Sequence, residues 1–176
     1  FPPVDLSYLS IPAFILLIHL ANSVDSYKEL IKFSFPGFLV WNLITTYWLM
    51  MASVGAGIGA NIANSLIMVI PLCFMRFFQE RFSTSYIVVS LQAASWVTYE
   101  FLHHNWDLAW PWLTIGNAWA NQVGLIQYIS LTGHLGISLW VILTAAFAYQ
   151  ALQYHSRQLA LYTVLILLIP PAVSLA

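Results

Sequence analysis

Six long apolar runs, separated by short polar segments, are the feature that most constrains this chain. An α-helix rises about 1.5 Å per residue, so about 20 residues cross a hydrocarbon core of about 30 Å. Hydrophobic residues make up 61% of the 176 residues and charged residues only 6%, which is too little polar surface for a water-soluble domain. The sequence therefore predicts an all-α fold, a polytopic transmembrane helix bundle of about six spans.

The six runs form one predicted domain, residues 1–176, because no polar linker, internal repeat or low-complexity segment divides them. The predicted spans are residues 6–22, 35–53, 57–78, 85–104, 124–152 and 159–175. Pro12 interrupts the first span and Pro170-Pro171 the last, and proline lacks the N–H that an interior helical residue donates. The first and last spans are therefore the weakest of the six helix predictions.

Small and amide residues at the start of the third span suggest close helix packing. Gly55 and Gly59 are four residues apart, a spacing that lets a neighbouring backbone approach. Asn61 and Asn64 follow on the same helix, and an unpaired amide is costly in hydrocarbon. We therefore expect both amides to form interhelical hydrogen bonds.

The basic residues predict the orientation of the bundle. Lys28 and Lys32 lie between the first two spans, Arg76 and Arg81 between the third and fourth, and Arg157 between the last two. Positive residues favour the cytoplasmic side, so these connections are predicted to be cytoplasmic and residues 96–121 to face the other side. The formal net charge of -1 provides no basic field for nucleic acid, which is excluded as a partner.

Residues 96–121 concentrate polar and aromatic side chains between two apolar runs. Trp96, Glu100, His103 and His104 are spaced to share one helix face, and Pro111 must end or break that helix. Ionisable residues at membrane depth often mark a functional site. The candidate site residues are Glu100, His103, His104, Asn105, Trp106, Asp107, Trp110, Trp112, Asn117 and Trp119.

Two structural alternatives accompany this site. Glu100 can instead accept hydrogen bonds from a neighbouring helix, and the tryptophans can form an interfacial aromatic belt. The clustering of four tryptophans with Asp107 and three asparagines in one connection favours a shaped pocket or a re-entrant segment over a belt.

Two functional alternatives also follow from these residues. Glu100, His103 and His104, completed by Asp107 or His134, would suit an intramembrane metallo-hydrolase, although the spacing is not His-Glu-x-x-His, so no metal is predicted. The other alternative is a non-enzymatic scaffold or half of a transporter. Against it, Glu100 is the only acidic residue within a predicted span, which is little for an ion or proton path. The lone Cys73 lies in an apolar run and is interpreted as a small buried hydrophobe.

The stretch from Tyr99 to Asn117, YEFLHHNWDLAWPWLTIGN, resembles apolipoprotein N-acyltransferases, in the form typical of Bacteroidetes-type members. Further matches in chain order are Phe1-Pro2-Pro3, WNLITTYW from Trp41, ANSLIMVIP from Ala63 and TGHLGISLW from Thr132. The resemblance implies an eight-helix enzyme of the bacterial inner (cytoplasmic) membrane, with a nitrilase-like periplasmic domain between its last two helices. The six spans would be helices two to seven, with residues 96–121 facing the periplasm.

The resemblance also implies the chemistry. The family moves an acyl chain from a phospholipid donor, through a cysteine thioester, to the N-terminal diacylglyceryl-cysteine of a lipoprotein acceptor. Its Glu, Lys and Cys triad belongs to the nitrilase-like domain, so no catalytic residue and no cofactor are expected in this chain. The chain opens without Met, so we expect it to be a piece of a longer protein. The resemblance implies that this piece anchors the nitrilase-like domain and holds a lateral opening for lipid near residues 100–121.

Overall fold

Helices form nearly all of the regular structure in a computed structural model that describes residues 6–175. The α-helices are α1 (Ser10–Ser23), α2 (Tyr27–Thr46), α3 (Leu49–Ala52), α4 (Val54–Ile67), α5 (Val69–Arg81), α6 (Ser85–His104), α7 (Ile129–Thr132), α8 (His134–Tyr154) and α9 (Arg157–Leu175). Single 3-10 turns occur at Ser7–Leu9, Pro111–Leu113, Ile115–Trp119 and Val123–Leu125. The Phe1-Pro2-Pro3 match lies outside the described residues.

Several helices have the length and composition of membrane spans. Helices α4 and α5 meet at Met68 and form one apolar stretch of 28 residues, and α8 and α9 also qualify, with 21 and 19 residues. Helix α1 belongs to a shorter apolar stretch, Ser7–Ser23. Helices α2 and α6 are long enough, with 20 residues each, but they are not among the three helices that meet both the length and the hydropathy of a span. The prediction of an all-α polytopic membrane bundle is confirmed, and the exact set of six spans stays a prediction.

Two helices begin at residues other than those predicted. Helix α2 starts at Tyr27 rather than near residue 35, because the Ser26 hydroxyl accepts from the Glu29 N–H at 3.2 Å and the Glu29 carboxylate accepts from the Asp25 N–H at 2.9 Å. The first bond is a side-chain N-cap, and the second differs from a capping box because it pairs the N–H of the residue before the N-cap. Helix α8 starts at His134 rather than near residue 124, because Gly133 has φ 67°, which a right-handed helix cannot contain.

The prolines predicted to interrupt the outer spans are accommodated within helices. Pro12 lies in the first turn of α1, where a missing N–H costs nothing. Pro170 lies inside α9 and cannot donate to the Ile166 carbonyl four residues earlier. The indole Nε1 of Trp140 on α8 donates to that carbonyl at 2.8 Å. A side chain of the neighbouring helix therefore replaces the missing backbone hydrogen bond.

Helix α8 lies at the centre of the bundle and packs against α1, α6 and α9. The other main helix contacts join α5 to α6, α2 to α4 and α1 to α5. The close approach of α4 occurs at Gly57, where an added Cβ would lie 2.8 Å from the Met50 backbone nitrogen. Gly55 and Gly59 have no such neighbour within 4 Å, so the prediction that this pair allows a close backbone approach was wrong. Gly57, midway between them, makes that approach instead.

The basic residues were predicted to lie between spans, but they lie within helices, namely Lys28 and Lys32 in α2, Arg76 and Arg81 in α5 and Arg157 in α9. The ends of these helices meet at one end of the bundle, here called the basic end. The Arg76 guanidinium donates to the backbone carbonyls of Val24 and Asp25, before α2. At the end of α8, Gln150 donates to Gln79 of α5 at 2.8 Å. The 105–133 connection, between α6 and α8, lies at the opposite end, where the Tyr128 N–H donates to Ser174 near the end of α9 at 3.3 Å.

Candidate functional site at the 105–133 connection

Glu100 is a buried anchor that joins α6 to the 105–133 connection. Its side chain is 3% exposed. Its Oε1 accepts a hydrogen bond from the Trp96 indole Nε1 at 2.9 Å and another from the Ile115 backbone N–H at 2.9 Å. Two N–H donors therefore pair Oε1, whereas the buried Oε2 has no hydrogen-bond partner among the described residues. The predicted contact between Trp96 and Glu100 is present, and the second partner comes from the loop.

The next residue of the connection is held by α8. The Gly116 N–H donates to the Ser138 hydroxyl at 3.2 Å. A Cβ on Gly116 would lie 2.8 Å from the His134 carbonyl oxygen, so the absence of a side chain allows the loop to lie directly against the start of α8. Residues 115 and 116 are therefore fixed between α6 and α8.

His103 belongs to a chain of buried polar groups that joins three helices. Its Nε2 lies 2.7 Å from the Asn64 Oδ1, and the Asn64 amide donates to the Asn42 Oδ1 at 2.7 Å. Since the Asn64 Oδ1 can only accept, the His103 Nε2 must carry the proton. In a neutral imidazole the Nδ1 is then an acceptor, and it has no hydrogen-bond partner among the described residues. The expectation that Asn64 forms interhelical hydrogen bonds is confirmed, and Thr46 of α2 donates to Asn61 at 2.8 Å.

His104 faces a different set of partners, in the connection and on α8. Its Nε2 lies 2.7 Å from the Thr114 Oγ1, which itself donates to the Pro111 carbonyl at 2.9 Å. Its Nδ1 lies 3.2 Å from the His134 Nε2, and the two rings are stacked with centroids 5.1 Å apart. The Thr114 proton points to Pro111, so His104 donates to Thr114 and accepts from His134. The geometry suits two neutral imidazoles.

The clustered tryptophans occupy different environments. Trp119 is 1% exposed, lies edge-to-face on Trp140 at 4.6 Å, and donates from its Nε1 to the Ser10 hydroxyl at 3.2 Å. Trp106 and Trp112 are each 44% exposed. Trp110 is half-buried, with its ring 5.3 Å from that of Trp112. Trp119 is therefore a core residue, whereas Trp106 and Trp112 form the accessible aromatic surface.

The remaining candidates are exposed polar residues of the connection. The Asn105 amide donates to the Phe101 carbonyl at 2.6 Å and ends α6. The Asn117 amide donates to the Pro111 carbonyl at 2.9 Å and the Trp112 carbonyl at 3.3 Å. Asp107 is exposed. The two asparagines shape the connection, and their side chains remain accessible from outside the bundle.

Two depressions in the surface are lined by several of the candidates, although Asp107 and Trp110 line neither of them. A groove of 580 Å³ runs between α5 and α6 and has His103, Asn105 and Trp106 at one end. A smaller depression of 370 Å³ is lined by His104, Pro111, Trp112, Thr114, Asn117 and His134. Glu100 and Trp119 line neither of them.

Sequence reasoning did not identify Thr114 and Ser138 as partners of this site. Both are small hydroxyl residues that sit far from α6 in sequence, and no local pattern marks their contacts. His134 was considered only as a distant metal ligand, yet it stacks on His104. Asn64 was identified by its depth in the span, and that signal pointed correctly to a buried polar contact.

The acidic and imidazole groups do not converge on one point. Glu100 faces the Ile115 backbone, His103 faces Asn64 and His104 faces Thr114. Within residues 6–175, no group of three or more His, Cys, Asp or Glu side chains could hold a metal ion. The arrangement therefore gives the metallo-hydrolase alternative no ligand set. Cys73 is partly buried against the core of α5, in line with its interpretation as a small hydrophobe.

Comparison with known proteins identifies the family. The sequence profile of the apolipoprotein N-acyltransferase N-terminal domain matches residues 1–147. An apolipoprotein N-acyltransferase of Chlorobaculum tepidum is 28% identical over 141 residues, which are 80% of this chain but 26% of that relative. The chain thus spans about a quarter of the length of the curated relative it matches, and no solved structure matches it significantly. The chain belongs to the apolipoprotein N-acyltransferase family and matches its N-terminal membrane domain.

Proposed function

We propose that this chain is the membrane-embedded part of an enzyme that transfers an acyl chain from a phospholipid to the N-terminal diacylglyceryl-cysteine of lipoproteins. The supporting observation is the family match over residues 1–147 together with the membrane-spanning composition of the helices. In this proposal a nitrilase-like domain supplies the catalytic Glu, Lys and Cys, and this chain supplies no catalytic residue and binds no cofactor.

The proposed role of the chain is to anchor that domain and to shape lipid access. The hydrogen bonds from the Ile115 N–H to Glu100 and from the Gly116 N–H to Ser138 support a rigid 105–133 connection. A rigid wall suits positioning, because a site must be held within a fraction of an ångström to guide a substrate. On this rigid base the accessible side chains, foremost Trp106 and Trp112, form the surface that meets lipid or the catalytic domain.

The proposed location is the bacterial inner membrane, with the 105–133 connection in the periplasm. The grouping of basic residues near helix ends at one end of the bundle supports this orientation, because Lys and Arg favour the cytoplasmic side. The partners are then a phospholipid donor, a diacylated lipoprotein acceptor and the membrane itself.

An acyltransferase assay tests the proposal. The full gene product, and a form reduced to residues 1–176, are purified and assayed for N-acylation of a diacylated lipopeptide in phospholipid vesicles. We expect activity in the full product and none in the shortened form. Activity in the shortened form would overturn the assignment of roles, and inactivity of a folded full product would overturn the function.

Matched variants test whether the accessible tryptophans of the 105–133 connection contribute to acyl transfer. Trp112→Ala in the full product is expected to lower kcat/KM about tenfold, which corresponds to about 1.4 kcal/mol of lost binding. Leu108→Ala is the control, because Leu108 is an exposed apolar residue of the same connection that lines neither depression. Equal effects of the two substitutions would argue against a specific role for Trp112.

A further inference from the structure

Two histidines flank the 105–133 connection and face each other. His104 is the last residue of α6, and His134 is the first residue of α8. Both line the depression of 370 Å³, where His134 is exposed and His104 is partly buried. The pair therefore joins the two ends of the connection at a place that ions in water can reach.

The facing ring nitrogens of this pair have the separation of two ligands on one metal ion. The distance from the His104 Nδ1 to the His134 Nε2 is 3.2 Å. Imidazole nitrogens bind zinc at about 2.0–2.1 Å, so two of them at an angle of about 90–109° lie about 2.9–3.4 Å apart. The same separation is at the long end of the usual range for a hydrogen bond. A metal ion can therefore replace the shared proton with little movement of either nitrogen.

The hydrogen bonds of His104 already hold it in the tautomer that a metal ligand needs. The Thr114 Oγ1 accepts the Nε2 proton of His104 at 2.7 Å, because its own proton goes to the Pro111 carbonyl. The His104 Nδ1 therefore directs a lone pair towards His134. Metal-bound histidines commonly donate their other ring N–H to an oxygen acceptor in this way. His134 is exposed, so water can move its proton from Nε2 to Nδ1 with no net release.

The number and type of ligands indicate the kind of ion. Imidazole suits zinc, nickel and copper, whereas magnesium and calcium prefer oxygen ligands. Among residues 6–175, no third His, Cys, Asp or Glu side chain joins the pair, so water molecules would complete the coordination. Catalytic zinc sites have three protein ligands and structural sites have four. A site with two protein ligands is therefore expected to exchange its ion reversibly.

We propose that His104 and His134 bind one divalent transition metal ion, of the class of zinc, nickel and copper, in the 370 Å³ depression. The bound ion links the end of α6 to the start of α8 and so ties together the two ends of the 105–133 connection. It acts as a cross-link of the fold and takes no part in acyl transfer. The inference therefore fails or succeeds independently of the proposed function.

Metal titration and electron paramagnetic resonance test the site. The full gene product, purified without a histidine tag and with its cysteines alkylated, is titrated with Cu²⁺ at neutral pH. We expect an ion whose spectrum shows two coordinated nitrogens and which Zn²⁺ displaces but Mg²⁺ does not. His134→Ala should lower the affinity for that ion at least about tenfold. His155→Ala, which removes an exposed histidine at the other end of α8, is the matched control and should leave affinity and spectrum unchanged.

A third variant and the thermal stability complete the test. Thr114→Val keeps both imidazoles but removes the oxygen that fixes the tautomer of His104, so it should lower the affinity about tenfold. Thermal unfolding in a chelator shows that each variant is folded, and excess Zn²⁺ should raise the midpoint of the native protein but not that of His134→Ala. Equal affinity of the native protein and His134→Ala would mean an adventitious ion only and would overturn the site. Equal affinity of Thr114→Val would overturn the positioning role of Thr114.

Discussion

At the residue scale, the structure gives Glu100 a defined mechanical role. Its Oε1 holds an indole of its own helix and a backbone N–H of the connection, both at 2.9 Å. Its spacing to Trp96 was predictable from helix geometry, because residues four apart share a face. Its bond to Ile115 was not, because that residue lies 15 positions away beyond a proline. The alternative that Glu100 is a structural residue, which accepts hydrogen bonds from neighbouring parts of the fold, therefore has direct geometric support.

Substitution of Glu100 should separate its hydrogen bonds from its charge. Glu100→Ala leaves two buried N–H groups unpaired, each at a cost of about 1–3 kcal/mol, so we expect the free energy of unfolding to fall by about 2–6 kcal/mol. Glu100→Gln keeps an oxygen acceptor and should lose less than half of that. Unfolding of the purified protein in detergent, together with the acylation assay, measures both effects.

Asp107→Ala is the control for this experiment, because Asp107 is an exposed acid of the same connection. It should leave stability unchanged. A Glu100→Gln protein with normal stability but a large loss of acyl transfer would instead show that the carboxyl group itself acts on the substrate.

At the scale of elements, α9 shows how neighbouring helices compensate for proline. The Pro170-Pro171 pair suggested an interrupted span, yet the helix continues to Leu175. The Trp140 indole supplies the donor that Pro170 lacks, at 2.8 Å from the Ile166 carbonyl. In a bilayer such a carbonyl has no water to bond, so compensation by a neighbouring side chain is required. Sequence alone could identify the missing donor but not the residue that replaces it.

A double-mutant cycle on Trp140 and Pro170 tests this compensation. Trp140→Phe should lower the free energy of unfolding by the packing it loses plus about 1 kcal/mol for the hydrogen bond. In a Pro170→Ala background, the backbone N–H restored by that substitution can bond to the Ile166 carbonyl, so Trp140→Phe should cost about 1 kcal/mol less. Thermal or denaturant unfolding in detergent measures the coupling. Equal costs in the two backgrounds would show that the indole does not compensate for the proline.

At the scale of the whole molecule, the basic residues lie towards one end of the bundle and four of the eight tryptophans lie in the connection at the other end. Arg76 ties the start of α2 to α5 at the basic end, and the 105–133 connection covers the opposite end. The basic residues, which the sequence places at every second turn of the chain, thus lie near helix ends that meet at one end of the structure. This agreement carries the proposed orientation, because the preference of Lys and Arg for the cytoplasm acts on whole connections.

Single cysteines report the orientation directly. In a Cys73→Ser background, Asp107→Cys is expected to react with a membrane-impermeant maleimide in intact spheroplasts. Ser83→Cys, in the exposed connection between α5 and α6, should react only after the membrane is permeabilised. The opposite pattern would place the 105–133 connection in the cytoplasm and remove the proposed periplasmic site.

The sequence by itself determined the class of the protein, its family and the predicted side of each connection. These properties follow from composition, chain order of motifs and the positions of five basic residues. Only the tertiary structure decided which of the polar and aromatic residues are internal: Trp119 is buried while Trp112 is exposed. In a membrane protein both the lipid-facing and the buried helix faces are apolar, so periodicity does not separate them. Burial depends on contacts between residues that are distant in sequence, such as Trp119 with Trp140 and Glu100 with Ile115.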